Sequence, residues 1–296
     1  MNHLVESLDR LSSSRGGAAE IANDPISIAH RYSSPVDVEI AALIAAQLAY
    51  GRVSLFLPIL GRLFDYADNY GGPESWLRGF SPAEQLCELS QFSYRFSKGI
   101  DHAIFFGTIG VAVRRYGSLR ALFEEAWNNS LNMHGTLTGG VGELRLIAAG
   151  VGESIGAGDG SFASLPRGVK HSLTSPVSGS ACKRWNLFMR WMVRSGDGVD
   201  LGLWRAIPSS SLVIPLDVHV HRISRMLGIT SRATADWRTA QEITDALATI
   251  SPNDPVKYDF ALAHMGISGG CKGEYVTDIC GGCLMRKHCI KCVAES

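Results

Sequence analysis

Apolar residues recur along this chain at helical spacing, and no stretch sustains the two-residue alternation of a half-buried strand. The sharpest start signal is Ser34-Pro35-Val36-Asp37-Val38-Glu39: a capping serine, a proline at the first helical position, then acids in the first turn. Glu39 to Tyr50 is apolar nearly all round, which predicts a central, buried helix ended by Gly51. Further helices are predicted over 55–70, from Pro73, from Ser81 with capping-box spacing to Glu84, and over 101–116 and 118–127. Residues 132–182 are rich in Gly and Ser, with one helix expected over 142–149 and an exposed loop over 156–161. Gly139-Gly140-Val141-Gly142 has no strand before it and no Gly-Lys-Ser/Thr after it, so it reads as a helix boundary rather than a phosphate loop. Downstream, 183–193, 215–227, 236–249 and a run from Asp254 to about Met265 read as helices. With no internal repeat, the chain is expected to be all-α.

Composition adds little to this picture. A chain of 296 residues, 46% hydrophobic and 19% charged, has the makings of one large globular domain or two modest ones. No run of about 18 apolar residues occurs, so no membrane span is expected. The polar start, Met1 to Arg15, lacks the basic head and apolar middle of a signal peptide, which points to a cytoplasmic protein. Zero net charge removes the general basic signature of a nucleic-acid binder. A phosphate-binding face needs only a local cluster of positive groups and helix N-termini, so that class stays open.

Cysteine use changes the picture more. Five of the seven cysteines fall in the last 26 residues: Cys271, Cys280, Cys283, Cys289 and Cys292. In a reducing compartment such a cluster reads as a metal site rather than a disulfide scaffold. Gly281 and Gly282 let the chain fold tightly between Cys280 and Cys283. Two chemistries fit. The gaps of eight, two and five residues favour a [4Fe–4S] cluster on Cys271, Cys280, Cys283 and Cys289. Pairing Cys280/Cys283 with Cys289/Cys292 would instead make a zinc site.

Four patches together carry a resemblance. The Cys tail, entered through Leu262-Ala263-His264-Met265-Gly266, resembles the iron–sulfur loop of the endonuclease III branch of the helix-hairpin-helix DNA glycosylase superfamily; its first gap is two residues longer than that family's six. Ile214-Pro215-Leu216-Asp217-Val218-His219 resembles the family's Val-Asp-Thr-His or Val-Asp-Val-His segment, in which the Asp is the catalytic carboxylate. Ala46-Gln47-Leu48 resembles its Ser-Ala-Gln segment, whose Gln enters the gap left by a flipped base. Gly179-Ser180-Ala181-Cys182-Lys183 stands where the family has its Leu-Pro-Gly-Val-Gly-x-Lys hairpin, and keeps only a glycine, the lysine and the apolar helix that follows. The interval of 34 residues from Lys183 to Asp217 is closer to that of the archaeal 8-oxoguanine glycosylases than to endonuclease III.

The resemblance implies a two-lobed helical fold. Residues 35–214 would form a central domain, and 1–34 with 215–296 a second lobe carrying the metal loop over 271–292. A cleft between them would set Lys183 opposite Asp217. The implied activity is excision of an oxidised base, 8-oxoguanine being one candidate, from double-stranded DNA by a monomer, with an associated strand-nicking step. The damaged nucleotide must leave the stack, at a cost of about a few kcal/mol. Lys183 would be the nucleophile, since a helix N-terminus and burial both favour a neutral amine. Lys170 is its rival, and a phosphate contact is the plainer role for Lys183. Asp217 would stabilise positive charge on the sugar, a role compatible with capping the helix after it. Gln47 is the gap-filling candidate, or else a polar residue facing water. His219, Arg222, the backbone amides near 218–220 and the hairpin at Gly179 are the expected DNA contacts. His221 reads as plain surface. Tyr94, Arg95, Phe96, Trp185 and Trp204 offer stacking surfaces or ordinary core. Arg286, Lys287, His288 and Lys291 form a short basic patch on the metal loop. The cluster's own role would be structural. Against this stands a non-catalytic DNA-binding protein with a structural iron–sulfur or zinc loop, and, further off, a zinc-stabilised helical adaptor.

Overall fold

The computed structural model describes residues 2–14, 21–267 and 270–293, and among them finds helices and no strands. The chain divides into two compact units: Met1–Ile21 with Gly179–Ser296, and Ala22–Ser178. The N-terminal segment therefore joins the C-terminal part, but the boundaries fall at 21/22 and 178/179 rather than 34/35 and 214/215. Lys183 and Asp217 lie within the same unit, not in different ones. No described helix is long and apolar enough to cross a membrane.

In chain order, α1 (Asn2–Ser13) belongs to the first unit, and the second unit follows. It comprises α2 (Ile26–Ala29), α3 (Pro35–Leu48), α4 (Val53–Asp68), α5 (Pro73–Arg78), α6 (Pro82–Leu89), α7 (Gly99–Tyr116), α8 (Leu119–Ser130), α9 (Met133–Ser154) and α10 (Arg167–Ser172). α3 is buried on every side from Val38 to Leu48, and α2, α4, α5 and α8 pack around it. Its two acids are spent on its neighbours. Asp37 Oδ1 accepts the Glu74 amide of α5 at 2.7 Å, and buried Glu39 accepts the Arg120 amide of α8 at 3.1 Å. Each carboxylate thus meets orphan N–H groups at the positive end of another helix. Ser34 stands at the N-cap of α3 without a side-chain capping bond.

The glycine tract at 139–142 does not bound a helix; it lies inside the 22-residue α9. The reason is packing. A Cβ on Gly140 would fall 2.5 Å from the Phe123 ring, and one on Gly139 3.2 Å from Ala126 Cβ. Small residues there let α9 lie close against α8, and that contact outweighs glycine's poor helix propensity.

Within α7, His102 is buried, stacked on Phe106, with Nε2 3.2 Å from the Phe92 carbonyl. A carbonyl only accepts, so the neutral ring donates there. Burial pushes the imidazole down from 6.5 to about 4, against the opposing pull of Asp101. Its folded value is depressed, so the unfolded chain binds the extra proton first. Stability from this group is complete above about 6.5 and is lost as pH falls toward about 4. The difference corresponds to about 3 kcal/mol. Chemical denaturation should show this acid sensitivity weakened in His102→Gln, which cannot take up the proton.

The first unit continues with α11 (Lys183–Val193), α12 (Val218–Met226), α13 (Trp237–Ala248), α14 (Asp259–Ile267), α15 (Thr277–Cys280) and α16 (Ile290–Val293). α12 packs on α14, and α1 touches α14 as well. The start expected at Asp254-Pro255 is delayed: residues 252–253 and 255–258 form turns, and the helix opens at Asp259. Asp254 is drawn instead to Arg194, whose Nε donates to its Oδ2 at 2.8 Å.

Candidate functional site

Asp217 is the N-cap of α12, and one oxygen, Oδ1, accepts both the His219 amide at 2.9 Å and the Val220 amide at 2.8 Å. Two orphan donors of the helix are satisfied by one atom. Among the described residues, Oδ2 accepts no hydrogen bond. The half-buried carboxylate is therefore clamped in place with one oxygen to spare. The amides of 219 and 220, which sequence suggested as phosphate contacts, are taken by Asp217 in this structure.

His219 and Arg222 also differ from that expectation. Arg222 Nη2 lies 2.6 Å from the Cys271 carbonyl and 3.1 Å from His219 Nδ1. The His219 ring lies against Gly266, where a Cβ would fall 2.7 Å from Nδ1, and the Arg222 stem lies against Gly273, where one would fall 2.8 Å from Cδ. Both side chains are turned toward the entry of the Cys loop. His221 is half-buried, with Nε2 3.0 Å from the Arg232 carbonyl, and so is not plain surface.

Lys183 is the first residue of α11, half-buried, and makes no ion pair among the described residues. The segment before it turns through two left-handed positions, Gly179 at φ 78° and Cys182 at φ 47°. The Gly179 carbonyl accepts the Trp237 amide at 3.0 Å, and Ser180 pairs with Asp236, so the turn is docked on the start of α13. The side where a Gly179 Cβ would stand is open space. Lys170 lies in the other unit, inside the short α10 that sequence did not assign, and its amine donates to the Ala163 carbonyl at 3.0 Å.

The second unit holds the remaining candidates. Gln47 is fully buried near the end of α3, which excludes the plain reading of a residue facing water and leaves its amide unpresented in this conformation. Residues 94–97 form a tight turn, with reciprocal 2.9 Å bonds between the Tyr94 and Ser97 backbones and Arg95 at φ 52°. Tyr50 locks it, donating to Ser97 Oγ at 2.8 Å, while Tyr94 donates back to the Tyr50 carbonyl at 2.8 Å. Phe96 stacks on Tyr50, and Arg167 lies over its ring. Trp185 and Trp204, in the first unit, are fully buried around Phe188 and serve as core.

Sequence reasoning missed one buried network. Arg190 of α11 donates to both oxygens of Asp200 at 3.0–3.2 Å and to Asp259 Oδ2; Arg194 bonds Asp197, Asp200 and Asp254. The signal was an arginine inside an apolar helix run. Burial drives the Asp259 carboxyl up to about 6 against the pull of Arg190, and Asp217 and Asp200 add to the rise.

All five tail cysteines line one cavity of about 280 Å³, walled by Met226, Met265 and Met285 among others. Burial raises the Cys283 thiol, and crowding by Cys271, Cys280 and Cys289 raises it further. Cys292, the most enclosed, is pushed to about 12 by burial and by hydrogen bonds with Cys289 and Cys280. Among the described residues, no three His, Cys, Asp or Glu are arranged to hold a single metal ion. An iron–sulfur cluster asks for several thiolates placed around a larger body, and thiols distributed over one cavity wall suit it in kind and number. In the basic patch Arg286, Lys287 and Lys291 are exposed, whereas His288 Nε2 sits 3.1 Å from the His3 carbonyl and 3.2 Å from Ser7 Oγ.

No curated protein and no solved structure matches the chain. A family model described as a protein of unknown function, DUF2400, matches residues 24–268, which takes in Gln47, Lys183, Asp217, His219 and Arg222 and stops short of Cys271. By that match over most of its length, the chain belongs to the DUF2400 family.

Proposed function

We propose that this protein is a DNA glycosylase that excises an oxidised base from double-stranded DNA, with a lyase step at the resulting sugar. The observation that carries the reading is the bond from Arg222 to the Cys271 carbonyl. Two patches that resemble the glycosylases independently, the Asp217 segment and the Cys loop, are thereby joined through one helix. The clamped carboxylate of Asp217 and the amine of Lys183, which makes no ion pair among the described residues, supply the two functions the chemistry needs. Lys183 Nζ attacks the C1′ carbon; the base departs with the electrons of its glycosidic bond and takes up a proton. The amine nitrogen loses its protons as the sugar ring opens and its oxygen takes one up, leaving an imine; loss of a C2′ proton then forms the C2′–C3′ double bond and expels the 3′ phosphate with the electron pair of the carbon–oxygen bond. Asp217 Oδ2 faces the positive charge that grows on the sugar. The tail, if it carries a [4Fe–4S] cluster, does so on Cys271, Cys280, Cys283 and Cys289, where it would brace the loop and supply no step of the reaction.

Single-turnover base release from duplexes carrying one oxidised base each tests this reading. Release from at least one of them is expected. Salt-dependent duplex binding with no release from any would favour the rival, a non-catalytic DNA-binding protein, to which the eroded hairpin at 179–183 lends weight.

A further inference from the structure

Cys292 is the one tail cysteine that the four-ligand assignment leaves over. It is also the most buried of the five. Its backbone turns back on Cys289, the Cys292 amide lying 3.0 Å from the Cys289 carbonyl, so one short turn brings the two side chains to the same wall of the cavity. Its sulfur is in hydrogen-bond contact with those of Cys289 and Cys280, which come from different stretches of the loop. Ile290, beside it, is half exposed, and Val293 more so, so the helix turns its cysteine inward and its aliphatic residues out.

We propose that Cys292 is not a ligand but a thiol that donates its S–H to the ligand sulfurs of Cys289 and Cys280, and so sets the reduction potential of the cluster. This rests on the [4Fe–4S] assignment above. A hydrogen bond onto a coordinating sulfur withdraws electron density from the iron and stabilises the reduced state, so it raises the potential. Burial favours the role, because a thiol in an apolar wall competes with no water for its acceptor.

The test is iron and acid-labile sulfide content, together with reduction potential, for the purified full-length protein and for Cys292→Ala, Cys292→Ser and Cys289→Ala. The expected result is full iron in the parent and in both Cys292 variants, a lower potential in Cys292→Ala, and recovery of most of the shift in Cys292→Ser, whose hydroxyl still donates. Iron loss in Cys292→Ala equal to that in Cys289→Ala would make Cys292 a ligand and overturn the proposal. Unchanged potential with iron retained would overturn it too. A parent that binds zinc, or no metal, would overturn both this role and the cluster, and would leave base excision to stand or fall on the release assay.

Discussion

Asp217→Asn should abolish base release almost completely while leaving the fold intact. Asparagine caps helices about as well as aspartate, and its carbonyl oxygen can still accept the His219 and Val220 amides. Stability by chemical denaturation should therefore stay within about 0.5 kcal/mol of the parent. What disappears is the negative charge on the spare oxygen. Charge stabilisation and proton transfer by one well-placed group are worth roughly 10²- to 10⁴-fold, and single-turnover release should fall by that factor. A variant as active as the parent would reduce Asp217 to a capping residue.

The largest stability effect should come from Arg190→Ala. Arg190 is buried with Asp200 and Asp259, and it is the cation both carboxylates share. Removing it strands Asp259 in the core and leaves Asp200 with Arg194 alone, and breaking such a buried pair typically costs about 3–5 kcal/mol. The surface cluster of Arg31 with Asp65 and Asp68 in the other unit is a built-in contrast. Arg31→Ala removes as many ion pairs, but in water, and should cost under about 1 kcal/mol. Denaturant titration of both variants checks the ordering. Equal, small losses would mean that the buried carboxyls are relieved by protonation, a route that the raised Asp259 value would open.

What could be read from sequence follows from how local each signal is. Asp217 and Asp236 announced their helices because an N-cap bonds to amides two or three residues on, and nothing distant intervenes. The α3 core was visible because an all-round apolar helix has nowhere to go but inside. The glycine tract of α9 misled because its cause, the Phe123 ring, belongs to another helix. Asp37 and Glu39 looked like first-turn acids of their own helix, and only the fold shows α5 and α8 delivering amides to them. Arg190 finds Asp259 across 69 residues, a pairing that no spacing rule encodes. His219 and Arg222 were singled out as DNA contacts, but which protein partner they meet depends on where the Cys loop returns.

The most direct measurement of the central claim is borohydride trapping on duplexes carrying single oxidised bases, with Lys183→Ala and Lys170→Ala beside the parent. The account predicts a covalent protein–DNA complex formed by the parent and by Lys170→Ala, and lost in Lys183→Ala. A complex that persists in Lys183→Ala, or the absence of any complex on every duplex, would contradict it.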